Sequence, residues 1–365
     1  MTAITTENIE ANSDIAKAMK QEEKLFRLIK KASLVGSLMS GEFEVGRDKF
    51  TGKKMKTTKG NAPIVEKTVL EGEIQMGGRM QFRMVDKLHE DGVEDRQTLE
   101  GTGEKLDMYT DELTLKRYRK AVEVDDLSEF FAIDNLSSEH KNAIEYWGRE
   151  KIDRLAISAW TDSPTAIFYP DAAQPFGVAR TTNLNTAKTA LVAADGLEPG
   201  LIQYLSTYAS TGGTGVDRRF KKITPFNYSG EGVKYALIVH PHAILNLKRN
   251  AEYRQEVRER FPHATWINRA VAVIDGVVII EDEDMPVFSN GGAGNDVAGC
   301  QAVFTGAQSL CLAWGRRPYA TKEERDHAAI KEIGWNMICK FKKFVFNSID
   351  MNSVMVTLPM ANIQG

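Results

Sequence analysis

Two stretches in the N-terminal half alternate apolar and polar residues, which is the pattern of β-strands with one solvated face. Their apolar members are Ile74, Met76, Met80, Phe82 and Met84 in the first stretch, and Leu113, Leu115, Tyr118, Val122 and Val124 in the second. The tip between them, residues 86–104, is acidic and carries Glu90, Asp91, Glu94, Asp95 and Glu100. A two-stranded ribbon is marginal in water unless it packs on something. Residues 63–127 are therefore predicted to form an extended β loop that needs a partner surface.

The clearest helix is predicted over residues 137–162. Ser137 or Ser138 can cap its start, and Ser163-Pro164 ends it. One side carries the apolar residues Ala143, Ile144, Trp147, Ile152, Leu155 and Ala159. The residues expected to face outward are Glu145, Arg149, Glu150, Asp153 and Arg154. Such a helix would span roughly 35–40 Å.

Residues 164–310 are predicted to form a compact α/β region. Its expected elements are helices at 184–194 and 198–208, a buried strand at 234–239, a helix from His240-Pro241 to about Arg260, a hairpin at 271–280 turning at Asp275-Gly276, a Gly/Asn-rich loop at 289–299 and a central apolar segment at 303–314. Beyond residue 316 the chain returns to strands at 335–346 and 353–358.

The first 62 residues are polar, apart from one amphipathic piece that includes Ala18 and Ile29. The segment Gly41–Asn61 is basic and poor in apolar residues, so it cannot bury itself. We expect an N-terminal arm whose order depends on a neighbour. Contact of this arm with DNA is the second interpretation, after a solvated arm.

Charge, cysteine content and apolar stretches limit the kinds of partner and chemistry that we expect. The 365-residue chain is 27% charged with a net charge of -3, so any contact with nucleic acid is expected to be weak or local. The three cysteines are far apart and form no metal-binding pair, which favours buried, reduced thiols. No signal peptide is predicted, and the apolar stretch at 270–280 is too short for a membrane span, which needs roughly 20 residues.

The order of parts resembles the Hong Kong 97-type capsid fold, an α+β plan of arm, extended loop, spine helix and axial domain. Four stretches resemble the podovirus capsid family that includes the protein of the coliphage called N-four. They are Gly78–Leu106 (GRMQFRMVDKLHEDGVEDRQTLEGTGEKL), Leu237–Leu247 (LIVHPHAILNL), Val278–Phe288 (VIIEDEDMPVF) and Ala302–Trp314 (AVFTGAQSLCLAW). On this plan the arm is 1–62, the extended loop 63–127, the peripheral domain with the spine helix 128–163 and 316–365, and the axial domain 164–315.

The resemblance implies a major capsid protein whose copies close, as hexamers and pentamers, into an icosahedral shell around double-stranded DNA. It implies synthesis in the host cytoplasm, a place in the virion, and no cofactor, metal or membrane. A scaffolding protein, a portal and a decoration protein are the further partners expected. The acidic tip needs a basic or polar receiving surface on a neighbour, and the candidates for it are Arg316, Arg317, Lys340, Lys342 and Lys343.

Two alternatives stay open. An encapsulin-like nanocompartment shell would use the same fold around a cargo enzyme. A metal-dependent hydrolase would use His240 and His242 with the acidic run 281–284, but H-P-H lacks the i, i+4 spacing that puts two imidazoles on one helix face. The carboxylates of Asp282 and Asp284 also suit a calcium or magnesium ion. By resemblance to Hong Kong 97-type shells that are crosslinked, a covalent bond between subunits would join Lys87 to Asn347 or Asn352.

Overall fold

The structure is a computed structural model. It describes residues 33–38, 62–68, 74–75, 79–85, 108–125, 136–212, 222–226, 233–251, 253–255, 270–325, 330–346 and 348–360. The α-helices of these ranges are α1 (Leu34–Leu38), α2 (Leu136–Thr161), α3 (Leu184–Thr189), α4 (Pro199–Thr211) and α5 (Pro241–Arg249). The strands are β1 (Ile64–Thr68), β2 (Ile74–Gln75), β3 (Arg79–Val85), β4 (Met108–Thr114), β5 (Lys116–Asp125), β6 (Ile167–Pro170), β7 (Val178–Thr181), β8 (Tyr235–Val239), β9 (Ala270–Ile274), β10 (Val277–Glu281), β11 (Val287–Gly291), β12 (Val297–Thr305), β13 (Leu310–Arg325), β14 (Ile330–Lys343), β15 (Val345–Phe346), β16 (Ile349–Asp350) and β17 (Ser353–Pro359).

The 26-residue helix α2 lies against a four-stranded sheet of order β1-β13-β14-β5. Alternate residues of β14 face the helix, and Trp335 is the largest of them. Gly148 makes the close approach possible, because a Cβ there would lie 2.9 Å from the Trp335 ring. The ring of Trp147 meets Trp335 edge-on at 5.3 Å. This contact fixes the helix on the sheet.

A second sheet has the order β7-β6-β17-β12-β8-β10-β9, with β11 paired to β12. Both of its faces are covered, because alternate residues of β8 join two different apolar clusters. Ala236 and Ile238 belong to the cluster that includes α2, whereas Tyr235, Leu237 and Val239 belong to the cluster that includes α4 and α5. Double coverage explains the uninterrupted apolar run of this strand.

A third sheet, which we call the ribbon, has three strands in the order β2-β3-β4. The two outer parts of the predicted extended loop do not belong to it. β1 pairs in parallel with β13, and β5 pairs antiparallel with β14. The two ends of the predicted loop are therefore held by the main body, and the partner surface that these two strands need is supplied by their own chain.

Several predicted elements are confirmed. The long helix, the buried strand before His240 and the hairpin at Asp275-Gly276 are present, and the hairpin residues have the positive φ values of 48° and 76° that a tight turn requires. Other boundaries differ. The helix predicted at 184–194 ends at Thr189, the helix after His240 ends at Arg249, and the Gly/Asn-rich loop is instead the turn between β11 and β12.

The C-terminal strand β17 lies in a different sheet from the predicted one. Residues 316–365 were predicted to lie beside the long helix, but β17 is inside the second sheet, between β6 and β12. Every residue of β17 is buried. A strand without polar alternation fits the interior of a large sheet covered on both faces, and this is the physical reason for the correction.

Candidate assembly surface

The ribbon is anchored at its base by a small apolar cluster. Met80, Phe82 and Leu113 pack against residues of the four-stranded sheet and against Phe344. The rings of Phe82 and Phe344 meet edge-on, with their centroids 6.1 Å apart. The base of the ribbon is therefore packed on the body of the same chain, although the ribbon has too few apolar residues to fold alone.

Lys342 adds a polar tie between the ribbon and the sheet. Its Nζ donates to the Asp111 carboxylate and, at 3.1 Å, to the carbonyl oxygen of Glu112. Both acceptors lie on β4 of the same chain. Lys342 was predicted to receive the acidic tip of a neighbour, and here it holds the base of its own ribbon.

Lys343 is committed inside its own chain as well. Its side chain is only 6% exposed, and its Nζ lies 2.9 Å from Asp350 Oδ1 and 2.9 Å from the carbonyl oxygen of Ser163. The backbone N–H of Thr165 also donates to Asp350. The assignment of Lys343 to an exposed receiving surface is corrected by this burial, because a buried ammonium with partners offers nothing to a second subunit.

Two of the remaining predicted cations, Arg316 and Lys340, lie on the face of the four-stranded sheet opposite α2, whereas Arg317 falls in the irregular stretch between Arg316 and Tyr319. Arg316 and Arg317 are exposed, Lys340 is half-buried, and the Arg316 guanidinium lies 3.6 Å from the centre of the Tyr319 ring. Ile338 pairs with Arg316 on one side and with Arg117 on the other. Directly opposed residues of antiparallel strands project to the same face of a sheet, so these two arginines share one row.

Arg119 extends this row, because it pairs with Asn336, two residues along β14. We call Arg117, Arg119, Arg316 and Lys340 the basic sheet face. Arg117 and Arg119, its two members on β5, were not predicted from the sequence. Strand alternation in the segment KRYRK was the signal that could have found them, since Tyr118 between them packs toward the other cluster.

The predicted acidic partners Glu90, Asp91, Glu94, Asp95 and Glu100 lie outside the described residues, and so do Lys87 and Asn347. A contact between the acidic tip and the basic sheet face therefore stays a prediction. Asn352, the other asparagine considered for a crosslink, uses its side-chain oxygen to accept the backbone N–H of Thr224 at 3.0 Å.

A carboxylate of α2 joins the N-terminal segment to the body. Asp153 was expected to face outward, but it is 2% exposed. Its two oxygens accept the backbone N–H groups of Leu34 at 3.1 Å and Val35 at 3.0 Å. The hydroxyl of Ser33 accepts the N–H of Gly36 at 2.9 Å. Three of the N–H groups that a helix start leaves open are thus satisfied, and α1 is fixed on α2.

The residues of the hydrolase alternative serve local structure. Nδ1 of His240 accepts the N–H of His242 at 3.3 Å and so caps α5. Burial, and then the neighbouring His242, lower the pKa of His240. The buried carboxylate of Asp282 accepts the backbone N–H of Asp284. The side-chain carboxylate of Asp284 accepts a 2.8 Å hydrogen bond from Arg154 of α2.

Neither a metal cluster nor a reactive thiol is present among the described residues. Within the described ranges, no three His, Cys, Asp or Glu side chains come together as possible metal ligands. Burial raises the pKa of Cys300, Cys311 and Cys339 to about 12 each, which keeps these thiols protonated at neutral pH. In the part of the chain that is described, no helix combines the length and apolar character needed to cross a bilayer.

The architecture defines a class of protein. Solved structures with this fold include the capsid of Ralstonia phage GP4, at 17% identity and a TM-score of 0.72 over 92% of this chain and 93% of that one. The Cyanophage Pam1 capsid asymmetric unit matches at 15% identity and a TM-score of 0.65 over 91% and 93%. The chain has the Hong Kong 97-type capsid fold, which confirms the predicted α+β class.

Sequence comparisons agree with the fold. The family described as "Phage capsid protein" matches residues 9–143. The chain is also 24% identical over 326 residues to a protein named "Major capsid protein" from Pseudomonas phage KPP25, covering 80% of this chain and 84% of that protein.

Proposed function

We propose that this protein is the major capsid protein of a tailed bacteriophage. Its copies assemble into an icosahedral shell around double-stranded DNA, so the protein belongs to the virion. The observation that carries the proposal is the fold, which matches capsid subunits over nine-tenths of the chain. The two sequence likenesses to phage capsid proteins support it independently.

The physical role of each part follows from how it is held. The ribbon is fixed at its base by the contact of Phe82 with Phe344 and by the hydrogen bonds of Lys342, so the two strands that flank the acidic tip start from a fixed position on the body. A cationic surface on a neighbouring copy would fix the position of the acidic tip relative to that copy, and we assign this role to the basic sheet face. Each exposed ion pair contributes only about 0–1 kcal/mol, but a shell repeats the contact many times.

The finer predictions remain part of this proposal. The relationship to the N-four-like podovirus family rests on the four stretches named above. Hexamers and pentamers, a scaffolding protein, a portal, a decoration protein and synthesis in the host cytoplasm follow from the same resemblance. The role is structural, and the His240 region has its own local contacts, so no observation favours the hydrolase.

The contact between ribbon and basic sheet face is tested with charge reversal. Arg117→Glu combined with Arg119→Glu should leave a folded subunit that assembles poorly, because the face would then repel the acidic tip. Lys322→Glu is the matched control, since Lys322 is exposed on the same sheet but pairs with Ile333 in a row that faces the other way. Assembly is measured by sedimentation velocity over a series of protein concentrations.

Deletion of residues 86–104 completes the test. We expect the variant without residues 86–104 to be a soluble subunit that has a normal far-ultraviolet circular dichroism spectrum and forms few particles. Normal shells from both the deletion and the double arginine variant would refute the assigned contact. The contents of wild-type particles separate a virus from a nanocompartment, because DNA supports the first and a co-purifying cellular enzyme the second.

A further inference from the structure

The turn that joins β6 to β7 projects an aromatic side chain into solvent. Phe176 is 82% exposed, and its φ of 65° and ψ of 12° lie in the left-handed region that non-glycine residues seldom adopt. Backbone hydrogen bonds close the turn, from Asp171 N–H to the carbonyl oxygen of Gly177 at 2.9 Å and from Gln174 N–H to that of Asp171 at 3.0 Å. The chain thus holds this phenylalanine in an unfavourable conformation and leaves its ring uncovered. Such strain clusters at functional sites.

The ring of Phe176 is the outermost member of a row of aromatic side chains. Phe176 lies 6.1 Å from the ring of Tyr204 on α4. Tyr204 stacks on Tyr208 at 6.4 Å, and Tyr208 meets the fully buried Phe168 at 4.9 Å. A row of aromatic rings therefore runs from solvent to the core. A side chain that is already positioned loses less entropy when a partner covers it.

Helix α4 beside this ring contains no charged residue, as its sequence PGLIQYLSTYAST shows. Its exposed positions are Gly200, Gln203, Thr207, Ser210 and Thr211. The three hydroxyl groups among them are already used within the helix. Thr207 donates to the carbonyl oxygen of Gln203 at 2.9 Å, and Ser210 and Thr211 donate to that of Thr207 at 2.8 and 2.9 Å. Covering these three hydroxyl groups would strand none of their donors, which makes their desolvation cheap.

We infer that Phe176 and the exposed side of α4, together the uncharged face, form a contact surface for a second copy of this chain. The inference rests on the proposed shell function, which brings identical subunits together on several sides. Loss of charge combined with aromatic residues is the composition of interface cores, and the chain as a whole is 27% charged. Nucleic acid would need cations for its phosphates, and a strongly charged protein would find no opposite charge here. An uncharged surface of another copy needs neither cations nor opposite charges on this face.

Two substitutions test the uncharged face by different means. Phe176→Gly removes the ring but suits the left-handed backbone, so the subunit should keep its thermal stability. Thr207→Lys places a cation in the middle of the face without touching the turn. Thr189→Lys is the matched control, because Thr189 is an exposed helical threonine on α3 whose hydroxyl donates to its own helix in the same way, at 3.0 Å.

The readout is the protein concentration at which half of the subunits sediment as particles, with melting temperature measured alongside. We expect that concentration to rise about tenfold or more for Phe176→Gly and Thr207→Lys, since truncating a central aromatic anchor has the largest effect on an interface. Thr189→Lys should match the wild type. If both test variants assemble as the wild type does, the inference is overturned while the shell function stands. If the wild type forms no particles at any concentration, both fail together.

Discussion

The buried carboxylate of Asp153 provides the sharpest test of how the N-terminal segment is held. Asp153→Ala would leave the N–H groups of Leu34 and Val35 without their acceptors. An unsatisfied buried donor costs about 1–3 kcal/mol. Two of them predict a loss of about 2–6 kcal/mol in the free energy of unfolding, unless α1 escapes this cost by leaving α2.

Detachment of α1 has its own cost, because Leu34, Val35 and Leu38 are all fully buried. Each such side chain contributes about 1.5–3 kcal/mol by its burial. Both routes are therefore expensive, and the experiment should separate them. Urea unfolding reports the total loss, and limited proteolysis near residue 33 reports whether the segment has detached. Asp153→Asn, which keeps one acceptor oxygen, should lie between the wild type and Asp153→Ala.

The control for Asp153 is Asp162→Ala, since Asp162 is exposed just beyond the C-terminus of the same helix. Its effect should stay within about 0.5 kcal/mol, as for most surface substitutions. If Asp153→Ala were as mild as this control, with no new proteolytic site, the buried carboxylate would have no structural role and the reasoning would be wrong.

Two further predictions concern a helix cap and a buried ion pair. Protonation of His240 removes the acceptor that caps α5, and its pKa is lowered in the folded state, so its stabilising effect is present above the ordinary pKa of about 6.5 and is lost as the pH falls below it. His240→Asn keeps a cap but should flatten that part of the stability curve by up to about 1.4 kcal/mol per pH unit, and an unchanged slope in urea titrations would contradict this. Lys343→Met strands the Asp350 carboxylate and should cost about 3–5 kcal/mol, whereas adding Asp350→Asn should recover most of the loss. Equal stability of the single and double variants would show that the ion pair is not the cause.

Local patterns predicted the elements well because they depend on near neighbours in sequence. The hairpin at Asp275-Gly276 and the helix start at His240-Pro241 follow from turn and capping chemistry, and both are present. The alternation in β3 likewise gave the correct strand and the buried positions Met80 and Phe82.

Partners distant in sequence were not predictable in the same way. Asp153 was placed on the solvent side because its helical position is next to outward-facing charges, yet its acceptor role depends on a segment 118 residues earlier in the chain. Lys343 follows Lys342 in a basic stretch, but strand alternation turns the two side chains to opposite faces. Only the fold shows that one meets the ribbon and the other meets Asp350.

The candidate site also combines features that the sequence predicts with features that only the fold creates. Sequence identified the basic character of Arg316 and Lys340, but the row that joins them to Arg117 and Arg119 is created by the register of three strands. The uncharged face needed the structure as well, since the exposure of Phe176 and its left-handed backbone leave no mark in a hydrophobicity pattern.

Electron cryo-microscopy of the purified full-length protein addresses the shell assignment most directly. We predict closed particles whose density accommodates this subunit, with each ribbon lying across an adjoining copy and residues 164–315 arranged around the local symmetry axes. A preparation that contains only compact single molecules at every salt and protein concentration, with residues 86–104 folded back on their own body, would contradict it.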